Sequence, residues 1–382
     1  MSADDVVIVC AVRTPLCRAT KGELAKIPPS TLLGVVLKKC LDYVPAADVE
    51  DICVGNVLSP ASGAAAFRMA QLAAGFPSTS CLSTTNRQCS SGLQAVANIA
   101  NAIASGSITV GIGAGVESMS THPMKSIPMP DVNWDEMKSS PESMDCTIPM
   151  GVTSENVVKA YGLSRQRLDE FSLESHRRAA AAQASGKFMA EIVPVGSVDK
   201  DDGIRATTTL EILSKLKPVF EENGVTTAGN SSQTTDGAAA VLLMTRAEAQ
   251  RRRLKIMGVW RGFAVKGVPP RIMGIGPAVA IPAVLEQLSL SKEDIDIYEI
   301  NEAFASQVTW CMDYLGLDPS KVNPNGGAIA LGHPLGCTGA RQIATLLHEL
   351  QRRKQRYGVV SMCIGTGMGA AAVIEAEPQS GL

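Results

Sequence analysis

The stretches VVIVCAV at residues 6–12 and IMGVWRGFAV at residues 256–265 decide the fold, because each opens the same succession of elements. Behind the first lie a helical pattern at 32–41, a strand at 52–57, a turn holding Cys89, a helix at 91–104 and an apolar run at 108–116. Behind the second lie a helix at 278–288, a strand at 295–300, a Gly-rich turn holding His333, a helix at 339–352 and an apolar run at 357–364. One order of elements used twice reads as an internal duplication. Strands alternating with helices predict an α/β fold of largely parallel sheets with helical crossovers, built as two stacked halves.

The repeat is interrupted once. Residues 117–222 are rich in proline and methionine and carry one helical segment at 165–185, ended by Gly186. This stretch reads as an inserted loop domain over the site, as long insertions often are; a Met-filled structural subdomain is the competing reading. The expected organisation is an N-terminal half at 1–116 completed by 223–248, the insertion at 117–222, and a C-terminal half at 249–382.

Composition narrows the function. Hydrophobic residues make up 45% of the 382 residues and the net charge is −2, which supports a large core and argues against a nucleic-acid partner. No apolar run approaches the ~20 residues that span a bilayer, so no membrane insertion is expected. The ten cysteines include no CxxC and no zinc-finger spacing, and they read as reduced thiols with no metal site. The chain enters its first strand without a signal-peptide pattern.

Four stretches carry groups suited to chemistry. Cys89, in NRQCSSGL at 86–93, stands at the start of an amphipathic helix, where the dipole and free N–H groups favour a thiolate. A structural cysteine is the alternative. His333, in GGAIALGHPLG at 326–336, sits in a turn whose glycines permit close approach to a ligand; base, oxyanion donor and structural turn histidine all fit. His122, His176 and His348 read as surface or packing residues. Cys363, in SMCIGTGMG at 361–369, ends a buried strand before a turn whose N–H groups suit an oxyanion. Asn301, in NEAFA at 301–305, follows a strand and points to the ligand side of the sheet or caps a helix.

Taken in order, NRQCSSGLQAV, NEAFASQ, NGGAIALGHPLGCTGAR and CIGTGMG resemble the thiolase family. GVESMS, MGVTSENV, TAGNSSQTTDGAA and MGIGP extend the resemblance over nearly the whole chain, and the wording is most similar to peroxisomal, including plant, 3-ketoacyl-CoA thiolases. The resemblance implies the thiolase fold, layered α-β-α-β-α, and CoA-dependent cleavage of 3-ketoacyl-CoA. It implies Cys89 as nucleophile, Cys363 as general acid/base, and His333 as the base for Cys89. It also implies two oxyanion sites, one from His333 with a water held by Asn301, the other from the backbone N–H groups of Cys89 and Gly365. CoA would be a substrate, with no covalently bound cofactor. Its contacts would be Ser232 near the pantetheine amide, Arg205 near the adenine, and Phe220, Met150, Met273, Ala303 and Phe304 along the pantetheine tunnel.

Pro149 stands where acetoacetyl-CoA thiolases tend to carry a histidine, which favours longer substrates over condensation of two acetyl-CoA. A decarboxylating ketoacyl synthase pairs its cysteine differently, and an inactive lipid- or CoA-binding relative would not keep all four groups. A homodimer is expected. The peroxisome is the expected location, as a mature or trimmed form, with the cytoplasm as alternative, since Ser380-Gly381-Leu382 is not S-K-L. Cys146, three residues before Pro149, is a candidate redox partner for Cys89, against the reading of a small packing residue.

Overall fold

A computed structural model of the chain describes residues 2–126 and 131–378, so the tripeptide 380–382 lies outside it. Ten strands form the sheet: β1 Val6–Arg13, β2 Cys17–Arg18, β3 Asp51–Gly55, β4 Cys81–Thr85, β5 Val110–Ser118, β6 Thr235–Thr245, β7 Gly258–Gly267, β8 Ile297–Ile300, β9 Tyr357–Ile364 and β10 Met368–Ala376. Their order is β4-β3-β5-β6-β1-β7-β10-β9-β8, with β2 paired to β6. The run β3-β5-β6-β1 and the run β8-β9-β10-β7 repeat one pattern, parallel then antiparallel twice. The duplication read from the sequence is therefore present in four strands of each half, β2 and β4 being additions to the first. The two runs meet at a seam only two residue pairs long, Val7↔Val259 and Ile8↔Gly258.

One expectation is corrected. The sheets are mixed, not largely parallel: only β3–β4, β3–β5 and β8–β9 run parallel. Strands buried on both faces read as continuous apolar runs whichever way their neighbours point, so direction was not encoded in their composition.

Side-chain alternation builds the layers. In β1, Val7 and Val9 join a core with Leu32, Leu33 and Val36 of the helix Pro29–Cys40 and Phe67 of the helix Ala64–Ala73. Val6 and Ile8 face the other way, into a core with Leu93 and Val96 of the helix Ser91–Ala104 and Ile343 and Leu347 of the helix Thr338–Arg353. In β10, Ala370, Ala372 and Ile374 join that same middle core, while Ala371 and Val373 face Ile281 and Val284 of the helix Gly276–Gln287. The result is five layers, α-β-α-β-α, with two helices shared in the middle. Their N-termini carry Cys89 and the His333 turn.

Candidate active site

The two middle helices approach closely because each has a glycine in its first turn, Gly92 and Gly339. A Cβ on Gly92 would lie 2.5 Å from the carbonyl oxygen of Gly336, and one on Gly339 would collide with the backbone of Leu93. This contact brings the turn before each helix to one place.

Cys89 is presented by a strained elbow. Gln88 has φ +48°, a left-handed conformation that costs a non-glycine residue roughly 1–2 kcal/mol. The two serines that follow hold it. Ser91 Oγ donates to the Gln88 carbonyl at 2.6 Å and accepts the Arg87 N–H at 2.9 Å, while Ser90 Oγ donates to the Arg87 carbonyl at 3.0 Å. Burial pushes the Cys89 thiol up to about 11; the backbone N–H groups of Gly365 and Cys89 pull it back, and Glu117 adds to the rise. Loss of water outweighs the pull of the helix terminus, so the net shift of this thiol is upward.

His333 is buried between two partners. Nδ1 lies 2.6 Å from Thr338 Oγ1, and Nε2 lies 3.3 Å from Asn301 Nδ2. The Thr338 hydroxyl also reaches the Pro334 carbonyl at 3.3 Å. With that hydroxyl donating to Pro334, it accepts from Nδ1–H, and Nε2 keeps its lone pair. Burial, with Arg341 nearby, lowers His333 to about 3, so the ring is neutral. Asn301 follows β8, and its N–H donates to the Ser361 carbonyl of β9 at 2.9 Å. Its Oδ1 is buried without a hydrogen-bond partner. The helix-cap alternative for Asn301 falls, because the next helix, Ala305–Leu315, is capped at Phe304.

Cys363 is fully buried at the end of β9, and burial together with neighbouring Cys89 and Cys311 pushes its thiol well above the ordinary range. Met150, Met273, Ala303 and Phe304 pack in one cluster with it. The Phe220 ring meets Phe304 edge-on, 6.3 Å between centroids, and the Ser232 N–H donates to the Ala303 carbonyl at 2.9 Å. Four of the seven expected CoA contacts thus pack with Cys363, and Phe220 and Ser232 adjoin that cluster through Phe304 and Ala303. Arg205 joins none of these contacts: it is exposed, and its N–H donates to Nδ1 of His176 at 3.2 Å. Cys146 is exposed, with Sγ 3.9 Å from the carbonyl of Thr366, in the turn after Cys363.

Cys89, Gly365 and Cys363 are therefore neighbours, and His333 is held neutral against Asn301 and Thr338, an arrangement suited to acyl transfer through a thiol. Family comparison agrees with that reading: the model described as "Thiolase, N-terminal domain" matches residues 6–247 and "Thiolase, C-terminal domain" matches residues 254–376. The chain belongs to the thiolase family. It is 54% identical to the peroxisomal 3-ketoacyl-CoA thiolase 2 of Arabidopsis thaliana, covering 97% of this chain and 84% of that protein. Among solved structures it is similar to the dimeric peroxisomal thiolase of Saccharomyces cerevisiae, with a TM-score of 0.94, 45% identity, and 99% and 98% of the two chains covered. It is also similar to human mitochondrial 3-ketoacyl-CoA thiolase in complex with CoA, with a TM-score of 0.89, 36% identity, and 98% of each chain covered.

Sequence reading passed over four residues around this thiolase site. Thr338 orients His333, and its signal was the short spacing from a turn histidine to a helix start. Ser90 and Ser91 brace the elbow, and lay inside the quoted motif. Glu117, in GVESMS, is fully buried and reaches into the loops beside Cys89; a carboxylate directly after a long apolar run was the signal.

Proposed function

We propose that this chain catalyses CoA-dependent thiolytic cleavage of 3-ketoacyl-CoA to acetyl-CoA and a shortened acyl-CoA, in fatty-acid β-oxidation. The observation that carries the reading is the approach of two thiols, part-exposed Cys89 and fully buried Cys363, at the Gly365 turn, in a chain that also holds a buried, neutral His333 against Asn301. Cleavage followed by transfer needs a nucleophile and a separate carbon acid, and a thiol serves both roles.

Met150, Met273, Ala303, Phe304, Phe220 and Ser232 receive the pantetheine arm, and Arg205 lies toward the adenine. Cys89 sulfur adds to the C3 carbonyl carbon as its proton passes to His333 Nε2. Proton transfer to Nε2 accompanies attack on the carbonyl, because burial raises the thiol and lowers the ring. The N–H groups of Cys89 and Gly365 receive the oxyanion. The C2–C3 bond breaks, and its electron pair becomes the enolate of acetyl-CoA. Protonated His333, with a water held by Asn301, stabilises the enolate oxygen, and the Cys363 thiol protonates C2. Free CoA then attacks the Cys89 thioester, giving its thiol proton to the Cys363 thiolate. Cys89 leaves and regains its proton from His333, which restores the starting state.

Pro149 and the 3-ketoacyl-CoA thiolases among the relatives favour cleavage of longer chains over condensation of two acetyl-CoA. The relatives' names support a peroxisomal setting, and the dimeric yeast structure supports a homodimer. Residues 117–222 act as the cover of the site. Cys146 on that cover is a redox partner able to cap Cys89. The test is mass spectrometry of products and protein after mixing with C4 to C16 3-ketoacyl-CoAs and CoA. An acyl adduct on Cys89 and both product thioesters are expected. CoA binding with neither would overturn the reading.

A further inference from the structure

Glu117 stands at the carboxyl end of β5, fully buried, and its carboxylate binds four neutral amide groups. Oε1 accepts from Asn56 Nδ2 at 3.0 Å and from the Leu58 N–H at 3.1 Å. Oε2 accepts from the Val57 N–H at 3.0 Å and from the Gly336 N–H at 2.9 Å. Residues 56–58 follow β3 of the first half; Gly336 lies in the His333 turn of the second. One side chain therefore ties a loop of each half to the other.

What those loops carry is apolar and sits at the nucleophile. Ala19, Met119 and Leu335 form a small cluster, and Val57, Leu58 and Cys89 pack against it. Glu117 grips the N–H groups of Val57 and Leu58 directly, and grips the residue next to Leu335. Cleavage as proposed above leaves the fatty acyl chain, not the acetyl group, on Cys89. The surface that packs on Cys89 is then the surface the acyl chain meets first.

We propose that Glu117 is a positioning residue that sets the acyl-chain wall beside Cys89, through Leu58 and Leu335. The carboxylate is suited to this because it offers acceptor sites to four donors and no donor of its own. Burial raises it to about 7, so the protein retains a carboxylate that its surroundings disfavour. The glycines around Gly336 leave the wall no slack: a Cβ on Gly115 would collide with the Gly336 carbonyl, and one on Gly336 would lie 2.7 Å from Asn56 Cα.

This proposal rests on the thiolytic reading and is tested by a ratio, not by activity alone. Glu117→Gln puts an amide N–H against two of the four donors and releases part of the grip. Its ratio of kcat/KM for C16 over C4 3-ketoacyl-CoA should shift by about 10-fold from wild type, with KM for CoA within about twofold. Leu58→Ala and Leu335→Ala leave the Glu117 bonds intact and should shift the same ratio. In the Glu117→Gln background, Leu58→Ala should add little, because the wall is already displaced. Equal loss at every chain length in Glu117→Gln would overturn the proposal. So would an unchanged ratio in both leucine variants, which decides the matter even if Glu117→Gln does not fold. Absence of thiolysis in wild type would instead sink the activity itself.

Discussion

The two halves of the molecule share one strand order but connect equivalent strands very differently. In the first, β5 and β6 pair as neighbours, yet residues 119–234 run between them. In the second, β9 and β10 pair in the same way, and only residues 365–367 intervene. The short link is a tight hairpin. Thr366 and Gly367 take positive φ, of 70° and 93°, and Cys363 and Gly365 are held at its tip. The long link reaches across to that tip, where Met150 and Cys146 approach Gly365 and Thr366. Equivalent strand pairs are thus closed by links of very different length, and the long link of one half packs on the short link of the other.

The largest effect should come from breaking the nucleophile of the first half. Cys89→Ala should lower thiolysis by about 10^4-fold or more and abolish the acyl adduct while CoA still binds, measured by mass spectrometry and calorimetry. Cys363→Ala breaks the hairpin tip of the second half. Acylation of Cys89 from acyl-CoA should persist while carbon–carbon cleavage falls by about 10^2–10^4-fold; near wild-type thiolysis would show that this thiol is not the carbon acid. Asn301→Ala should reduce kcat by about 10^2-fold with little change in KM for CoA, as loss of one oxyanion support does. A KM effect alone would make Asn301 a binding group.

Smaller effects test the cover and the burial of the ring. Under mild peroxide, wild type should lose activity that dithiothreitol restores, and Cys146→Ser should lose it irreversibly as Cys89 over-oxidises. Identical recovery in both would leave Cys146 a packing residue. His333 is depressed to about 3, so between pH 6.5 and 3 the unfolded chain takes up its proton first and stability falls as pH falls. Glu117 at about 7 and Glu299 at about 8 are raised carboxyls and act in reverse, losing stability as pH rises from about 4.5. The difference between wild type and His333→Gln isolates the ring. The variant's urea midpoint should change less steeply with acid, by up to about 1.4 kcal/mol per pH unit. Parallel profiles would show that His333 is not held neutral by the fold.

Legibility from sequence followed physical scale. The helix at 91–104 and the strand at 357–364 were read to the residue, because periodicity and a long apolar run are local signals. The short strand β4, part-exposed along its length, carried no such run, and β10 was hidden because its alanines read alike in helix and strand. Strand direction was invisible for the same reason. At the site, residue identities were readable as motifs, while their states were not. The helix N-terminus at Cys89 was visible in the sequence, but the burial that raises its thiol, contributed by distant segments, was not. The reach of Glu117 across both halves likewise depends on contacts far apart in the chain.

The pairing of β1 with β6 sets an order of events during synthesis. Val6 registers with Thr245, so the first strand made cannot complete its sheet until the chain beyond residue 245 has left the ribosome. At ~5–20 residues per second, that is a wait on the order of 10–50 s with an apolar strand unpaired. The hairpin of β9 and β10 closes within its own few residues, and local closures of that kind take microseconds. β1 therefore waits unpaired far longer than the strands of that hairpin, and the half that bears Cys89 is the one whose folding is most exposed to delay.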